Sequence, residues 1–110
     1  FDKYINSNLF NMLKNAKAVY KETPFYMEIP YKNTRENVLV QGVIDLYFVN
    51  QDGKIILVDY KTDRNVDENE LKERYEYQLQ LYKEAIEKSC KQKVYKMIIY
   101  STFLNKEIEL

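Results

Sequence analysis

The run Ile55-Ile56-Leu57-Val58, leading straight into Asp59-Tyr60-Lys61, constrains the fold more than any other segment. Four apolar residues without alternation suit a strand covered on both faces, which puts it at the centre of a sheet with a layer on each side. Ionisable groups at the end of such a strand are costly unless they are paired or hold an ion. Asp59 and Lys61 are two apart, so they share a face about 6.5 Å from one another along the strand. The β-like run from Val38 to Val49 precedes it, and Gln51-Asp52-Gly53 fits a three-residue hairpin loop with Gly53 in the left-handed place. In that register Asn50 pairs with Lys54 and Asp45 falls opposite Asp59, with Cβ atoms roughly 4.5–5.5 Å apart. A slip of one residue would destroy the meeting of the two carboxylates.

The rest of the chain arranges itself around this hairpin. Ile5, Leu9, Met12, Leu13, Ala16 and Tyr20 recur at helical spacing, which predicts an amphipathic helix from Asp2 to about Tyr20, closed by Pro24. Phe25 to Lys32 reads as an extended edge segment ending near Pro30, and Asn33 to Asn37 as a polar turn. Asp67, with Glu70 three residues on, opens a second helix through a capping box. Its buried stripe is Leu71, Tyr75, Gln78, Leu79, Tyr82, Ala85 and Ile86. Val94 to Thr102 is a further strand, and Lys106 to Leu110 pairs back onto it. A strand, a long helix and a strand make a right-handed crossover with the two strands parallel. The order is therefore helix, three-strand meander, helix, strand, strand: an α/β domain with a mixed sheet and helices packed on it, spanning residues 1–110 as one unit.

Composition narrows the chemistry by exclusion. The sequence has no histidine, which removes imidazole bases and His-ligated zinc from these residues. Two glycines, Gly42 and Gly53, cannot build a phosphate loop or a GxGxxG fingerprint, so no ATP site is expected. The single Cys90 rules out an internal disulfide or a cysteine-ligated iron–sulfur cluster, and points to the reducing cytoplasm. No apolar run reaches the ~20 residues of a membrane span. Seventeen basic residues balance seventeen acidic ones, so attraction of a polyanion must come from local placement and a metal ion.

The converging carboxylates offer such a place. Two neighbouring acids repel, and one pKa rises sharply unless a cation intervenes. Hard oxygen ligands favour Mg²⁺, with Mn²⁺ possible. A bound metal acidifies water and neutralises a scissile phosphate, while the Lys61 ammonium can hold the attacking water or meet charge on the phosphoryl oxygens. The bare pattern of Asp45, Asp59 and Lys61 fits a salt bridge at a strand end equally well.

Longer blocks add specificity. Gly42-Val43-Ile44-Asp45, Val58-Asp59-Tyr60-Lys61-Thr62-Asp63-Arg64, Gln78-Leu79-Gln80-Leu81-Tyr82 and Glu22-Thr23-Pro24-Phe25 all occur in this sequence. Together they resemble the PD-(D/E)XK nuclease superfamily, and within it the RecB-like nuclease domain of AddA-type helicase–nucleases. The resemblance implies a restriction-endonuclease-like core with mixed sheet order 1-2-3-4-5. It implies metal binding by Asp45, Asp59 and the main-chain carbonyl of Tyr60, with Asp45, Asp59, Lys61 (the catalytic lysine) and Gln78 as the catalytic group and Tyr82 supporting the site. Glu22, Thr62 and Arg64 are candidates for supporting the site or touching DNA. The implied activity is DNA hydrolysis by a bacterial, cytoplasmic exonuclease acting in double-strand-break repair and recombination. The implied partners are DNA, a helicase domain of the same chain and a second helicase–nuclease subunit. The family's histidine ligand in the first helix region is missing, so it is expected upstream of Phe1, and these residues alone are expected to bind metal weakly and cut poorly. Two readings stay open beside this one: a restriction- or junction-type endonuclease of the same superfamily, and a non-catalytic module that binds DNA or a partner.

Overall fold

In the computed structural model, which describes residues 7–110, the Gly53 loop forms as its sequence predicts. Gly53 takes φ 79°, its N–H donates to the Asn50 carbonyl at 3.0 Å, and the Asn50 N–H donates to the Lys54 carbonyl at 2.9 Å. Strand β2 (Asn37–Val49) and strand β3 (Ile55–Lys61) then run antiparallel from Val49 facing Ile55 to Leu46 facing Val58. That is the register required to bring Asp45 to Asp59.

Strand β1 (Ala18–Pro30) pairs antiparallel with β2 along its length, from Ala18 facing Val49 to Pro30 facing Asn37. Because β3 pairs only with the last residues of β2, the far halves of β1 and β2 form a two-stranded arm beyond the sheet. The first helix is shorter than its periodicity predicts. Helix α1 covers Asn8–Lys14, capped by the Ser7 hydroxyl, which accepts from the Phe10 N–H at 3.1 Å. The part expected over residues 2–6 lies outside the described residues. Beyond Asn15 the chain turns, and Ala18, Val19 and Tyr20 pair with Val49, Phe48 and Tyr47 instead of continuing the helix. Pro24, expected to close that helix, sits inside β1. An outermost strand tolerates a residue without an N–H.

Helix α2 (Glu68–Cys90) carries the expected capping box: Asp67 accepts from the Glu70 N–H, and the Glu70 side chain accepts from the Asp67 N–H. Lys91 ends the helix in the left-handed conformation. The chain returns as β4 (Val94–Ser101), parallel to β3, and β5 (Lys106–Glu109) closes the edge antiparallel to β4. The sheet order is β1-β2-β3-β4-β5.

Both faces of β3 are covered. Ile55 and Leu57 pack with Leu71, Leu79, Tyr82 and Ile86 of α2, together with Ile99 of β4. On the opposite face Ile56 and Val58 pack with Leu9 of α1, Leu46 and Phe48 of β2, and Ile98 and Tyr100 of β4. Continuous apolarity in the sequence thus corresponds to burial on two sides, and Asp59 and Lys61 emerge where that packing ends.

Candidate active site

Asp59 lies on the α2 face of the sheet and is 2% exposed. Burial pushes its carboxyl from 3.8 up to about 6, helped by a hydrogen-bonding contact with the Asp45 carboxyl and opposed by Lys61. Its Oδ2 pairs with the Lys61 ammonium at 2.9 Å. Beyond that ion pair the buried oxygen has no hydrogen-bond partner and keeps lone-pair capacity. Asp45, half-buried on β2, accepts the Tyr60 N–H on its Oδ2 at 3.0 Å. N–H and C=O of one strand residue point to the same edge, so the Tyr60 carbonyl faces the β2 side, where Asp45 lies.

Lys61 is held from several directions. Its Nζ donates to Gln78 Oε1 at 3.0 Å, pairs with Asp59, and sits 4.0 Å from the centroid of the Tyr75 ring. Gln78 and Tyr75 are one turn apart on α2, so both reach β3 from a single helix face. Tyr82, one turn further on, is buried. Its ring meets Phe25 edge-on at 5.3 Å, and its hydroxyl pKa is raised by burial and then by the negative charge of Asp59 and Asp45. Gly42 makes room for this packing: a Cβ there would stand 3.1 Å from the Phe25 ring.

Glu22 adjoins Asp45. Lys21 pairs with Leu46 and Thr23 with Ile44, but Glu22 between them has no ladder partner and takes φ 48°. This is a strained left-handed turn of a non-glycine residue inside a strand. A cleft of about 430 Å³ opens there, lined by Leu13, Lys21, Glu22, Asp45, Leu46 and Tyr60. Asp45, Asp59, Lys61, Gln78 and Tyr82 are thus brought together, with Glu22 at the edge. Thr62 and Arg64 lie in the loop after β3, outside this group.

Asp63 lies inside a motif block and Tyr75 on the helical stripe, but the sequence gives neither a site role, and Arg74 carries no signal at all. The Tyr75 hydroxyl reaches both Asp63 carboxylate oxygens, at 2.9 and 2.7 Å, and Arg74 Nη1 lies 2.7 Å from Asp63 Oδ2. The Tyr75 hydroxyl, and after it Arg74, holds the Asp63 carboxyl below its usual range. The signal available beforehand was spacing: Tyr75 precedes Gln78 by three residues on the same stripe.

With two carboxylates, a lysine and a strand-end carbonyl at one place, comparison with known proteins becomes informative. The sequence matches the PD-(D/E)XK nuclease superfamily over residues 3–107. This chain belongs to that superfamily. Among its relatives is an ATP-dependent helicase/nuclease subunit from Clostridium kluyveri, 42% identical over 108 residues, which cover 89% of this chain and 9% of the relative. The proteins of the same name from Clostridium botulinum and Clostridium perfringens are 38% and 34% identical, over 98% and 100% of this chain. The chain thus spans about a tenth of the length of these relatives. A crystal structure of the protein SSO0001 superposes with a TM-score of 0.61 at 21% identity, over 99% of this chain and 48% of that one. That likeness concerns the fold, a five-stranded mixed sheet with helices as expected of a restriction-endonuclease-like core. No described helix is long and apolar enough to cross a membrane.

The donor set suits a hard divalent cation. Mg²⁺ keeps several waters and is commonly held by one or two carboxylates together with substrate phosphates. Asp45 and Asp59 supply two carboxylates, one of them with a buried oxygen that meets only the Lys61 ammonium, and the Tyr60 carbonyl could add a third oxygen. Among the described residues no three His, Cys, Asp or Glu side chains gather closely enough to enclose an ion. The donors therefore fit an open, water-rich site rather than a closed protein cage.

Proposed function

We propose that this chain is the DNA-cutting domain of a longer bacterial, cytoplasmic helicase–nuclease, hydrolysing phosphodiester bonds with Mg²⁺ or Mn²⁺. The observation that carries the reading is Asp59: a buried carboxyl pushed up to about 6 beside a second carboxyl and a lysine. Burial is the main cause and the Asp45 carboxyl adds to it, and a divalent cation bound there would offset both. Asp45, Asp59 and the Tyr60 carbonyl would hold the ion, which when bound supplies an acidified water and neutralises charge on the scissile phosphate. Lys61, steadied by Gln78, presents its ammonium to the phosphoryl oxygens as negative charge builds on them. Tyr82 is buried close enough to feel the charge of both carboxylates, and Lys21 and Glu22 line a cleft that Asp45 also borders.

The names of the relatives support placing this chemistry beside a helicase motor on the same chain; this reading assigns DNA as the substrate and a second helicase–nuclease subunit as the partner. Repair and recombination of broken DNA is the process that such an enzyme serves. The test is cleavage of end-labelled linear DNA by the full-length protein with Mg²⁺ or Mn²⁺. Shortening from the ends, abolished by Asp59→Ala and strongly slowed, though still measurable in a single turnover, by removal of the Lys61 ammonium in Lys61→Ala, is the expected result. Activity surviving Asp59→Ala, or undiminished by Lys61→Ala, would sink the assignment, and cutting of closed circles would favour an endonuclease instead. The second reading is a module that binds DNA without cutting. DNA binding with no metal-dependent cleavage would select it.

A further inference from the structure

We infer that Tyr75, braced by Asp63 and Arg74, is a positioning residue that aims the Lys61 ammonium; the inference rests on the nuclease reading above. A lysine on the last residue of a strand has four rotatable bonds, and one ion pair with Asp59 leaves its direction loosely defined. Here two further contacts restrict it. The Gln78 amide oxygen fixes one N–H, and the Tyr75 ring face lies under the charge with its centroid 4.0 Å from Nζ. The ring is itself fixed. Its hydroxyl donates to Asp63, and Asp63 is tied in turn to Arg74 on the same helix.

The brace joins two elements that must stay in register for Lys61 to point correctly. Asp63 lies two residues beyond Lys61 in the loop leaving β3, while Arg74 and Tyr75 lie on α2. A carboxylate that takes a phenol hydroxyl and a guanidinium together pins the loop to the helix and prevents Tyr75 from rotating off Lys61. Lys61 Nζ is then restricted by Asp59, by the Gln78 amide and by an aromatic face, which narrows the directions from which a phosphoryl oxygen can meet it. The ring acts through electrostatic attraction to the cation and touches neither metal nor substrate.

The experiment is single-turnover cleavage of linear DNA by the full-length protein and five variants: Tyr75→Leu, Tyr75→Phe, Asp63→Asn, Lys61→Met and the double variant Tyr75→Leu/Lys61→Met. Tyr75→Leu is expected to lower the maximal rate by about tenfold, the scale of losing a shielded cation–ring contact, with the DNA concentration at half-maximal rate unchanged. Tyr75→Phe keeps the ring and is expected within about threefold of the parent. In the Lys61→Met background, Tyr75→Leu is expected to add nothing, because the residue it acts through has gone. A structural role would instead lower the rate by the same factor in both backgrounds. The inference is overturned by that result, by an unchanged rate in Tyr75→Leu, or by a Tyr75→Phe variant no better than Tyr75→Leu. Asp63→Asn, which weakens the brace from the loop side but still accepts from the Tyr75 hydroxyl, guards against a misfolded helix variant and is expected to fall between the parent and Tyr75→Phe; a rate as low as that of Tyr75→Leu overturns the inference. A parent protein without metal-dependent cleavage removes the nuclease reading and this inference together, whereas an active parent with indifferent Tyr75 variants removes the inference alone.

Discussion

Replacing Asp59 by Asn tests the buried carboxyl directly. In the unfolded chain an aspartate titrates near 3.8, and in the folded protein Asp59 titrates near 6. The folded state therefore holds the proton more tightly than the unfolded one. The stability this adds is fully present well below about pH 4 and disappears as the pH rises through about 6. Two pH units at roughly 1.4 kcal/mol each make a loss of about 3 kcal/mol across that window. Asp59→Asn cannot titrate, so its curve lacks this slope. Removal of the ion pair with Lys61 displaces the variant curve in height, and the slope is what isolates the proton. Urea unfolding in EDTA at pH 4, 5, 6 and 7 measures both curves. The parent is expected to lose about 2 kcal/mol more than Asp59→Asn between pH 4 and 7, the rest of the loss falling below pH 4. Parallel curves would refute the claim that burial and Asp45 together destabilise the ionised form.

Other perturbations reach the supports of the site. Gly42→Ala sets a methyl 3.1 Å from the Phe25 ring, which is packed against Tyr82, and should cost about 1–3 kcal/mol; an unchanged unfolding midpoint would contradict that packing. Asp67→Ala removes one half of the capping box at the start of α2 and should cost about 1 kcal/mol, or a fall of roughly 5 °C in Tm read by circular dichroism.

How far the sequence reveals this protein depends on how local each cause is. Gly53 fixes the β2–β3 register within a few residues, so the approach of Asp45 to Asp59 can be read from a loop length and two strand patterns. The capping box at Asp67 and Glu70 is equally local, and the parallel placement of β4 follows from the length of α2. The first helix is harder. Met12, Leu13, Ala16 and Tyr20 satisfy helical spacing, but Ala18, Val19 and Tyr20 find partners in β2, more than twenty-five residues away, and the ladder outweighs the local pattern. The same reasoning explains Pro24, which reads as a helix stop yet lies in an outer strand. At the site, Lys61 and Gln78 carry motif signals, whereas the link from Asp63 to Tyr75 joins a loop to a helix across twelve positions. Glu22 is a candidate from its sequence block, but its left-handed backbone near Asp45 arises only once two long strands pair.

The central claim is that Asp45 and Asp59 bind one divalent cation in concert. Calorimetric titration of Mn²⁺ into the full-length protein at pH 7 examines it without relying on catalysis, when the parent is compared with Asp45→Asn and Asp59→Asn. One binding event in the parent that disappears in each single variant is the predicted result. An unchanged isotherm in either variant, or no event in the parent, would contradict the account.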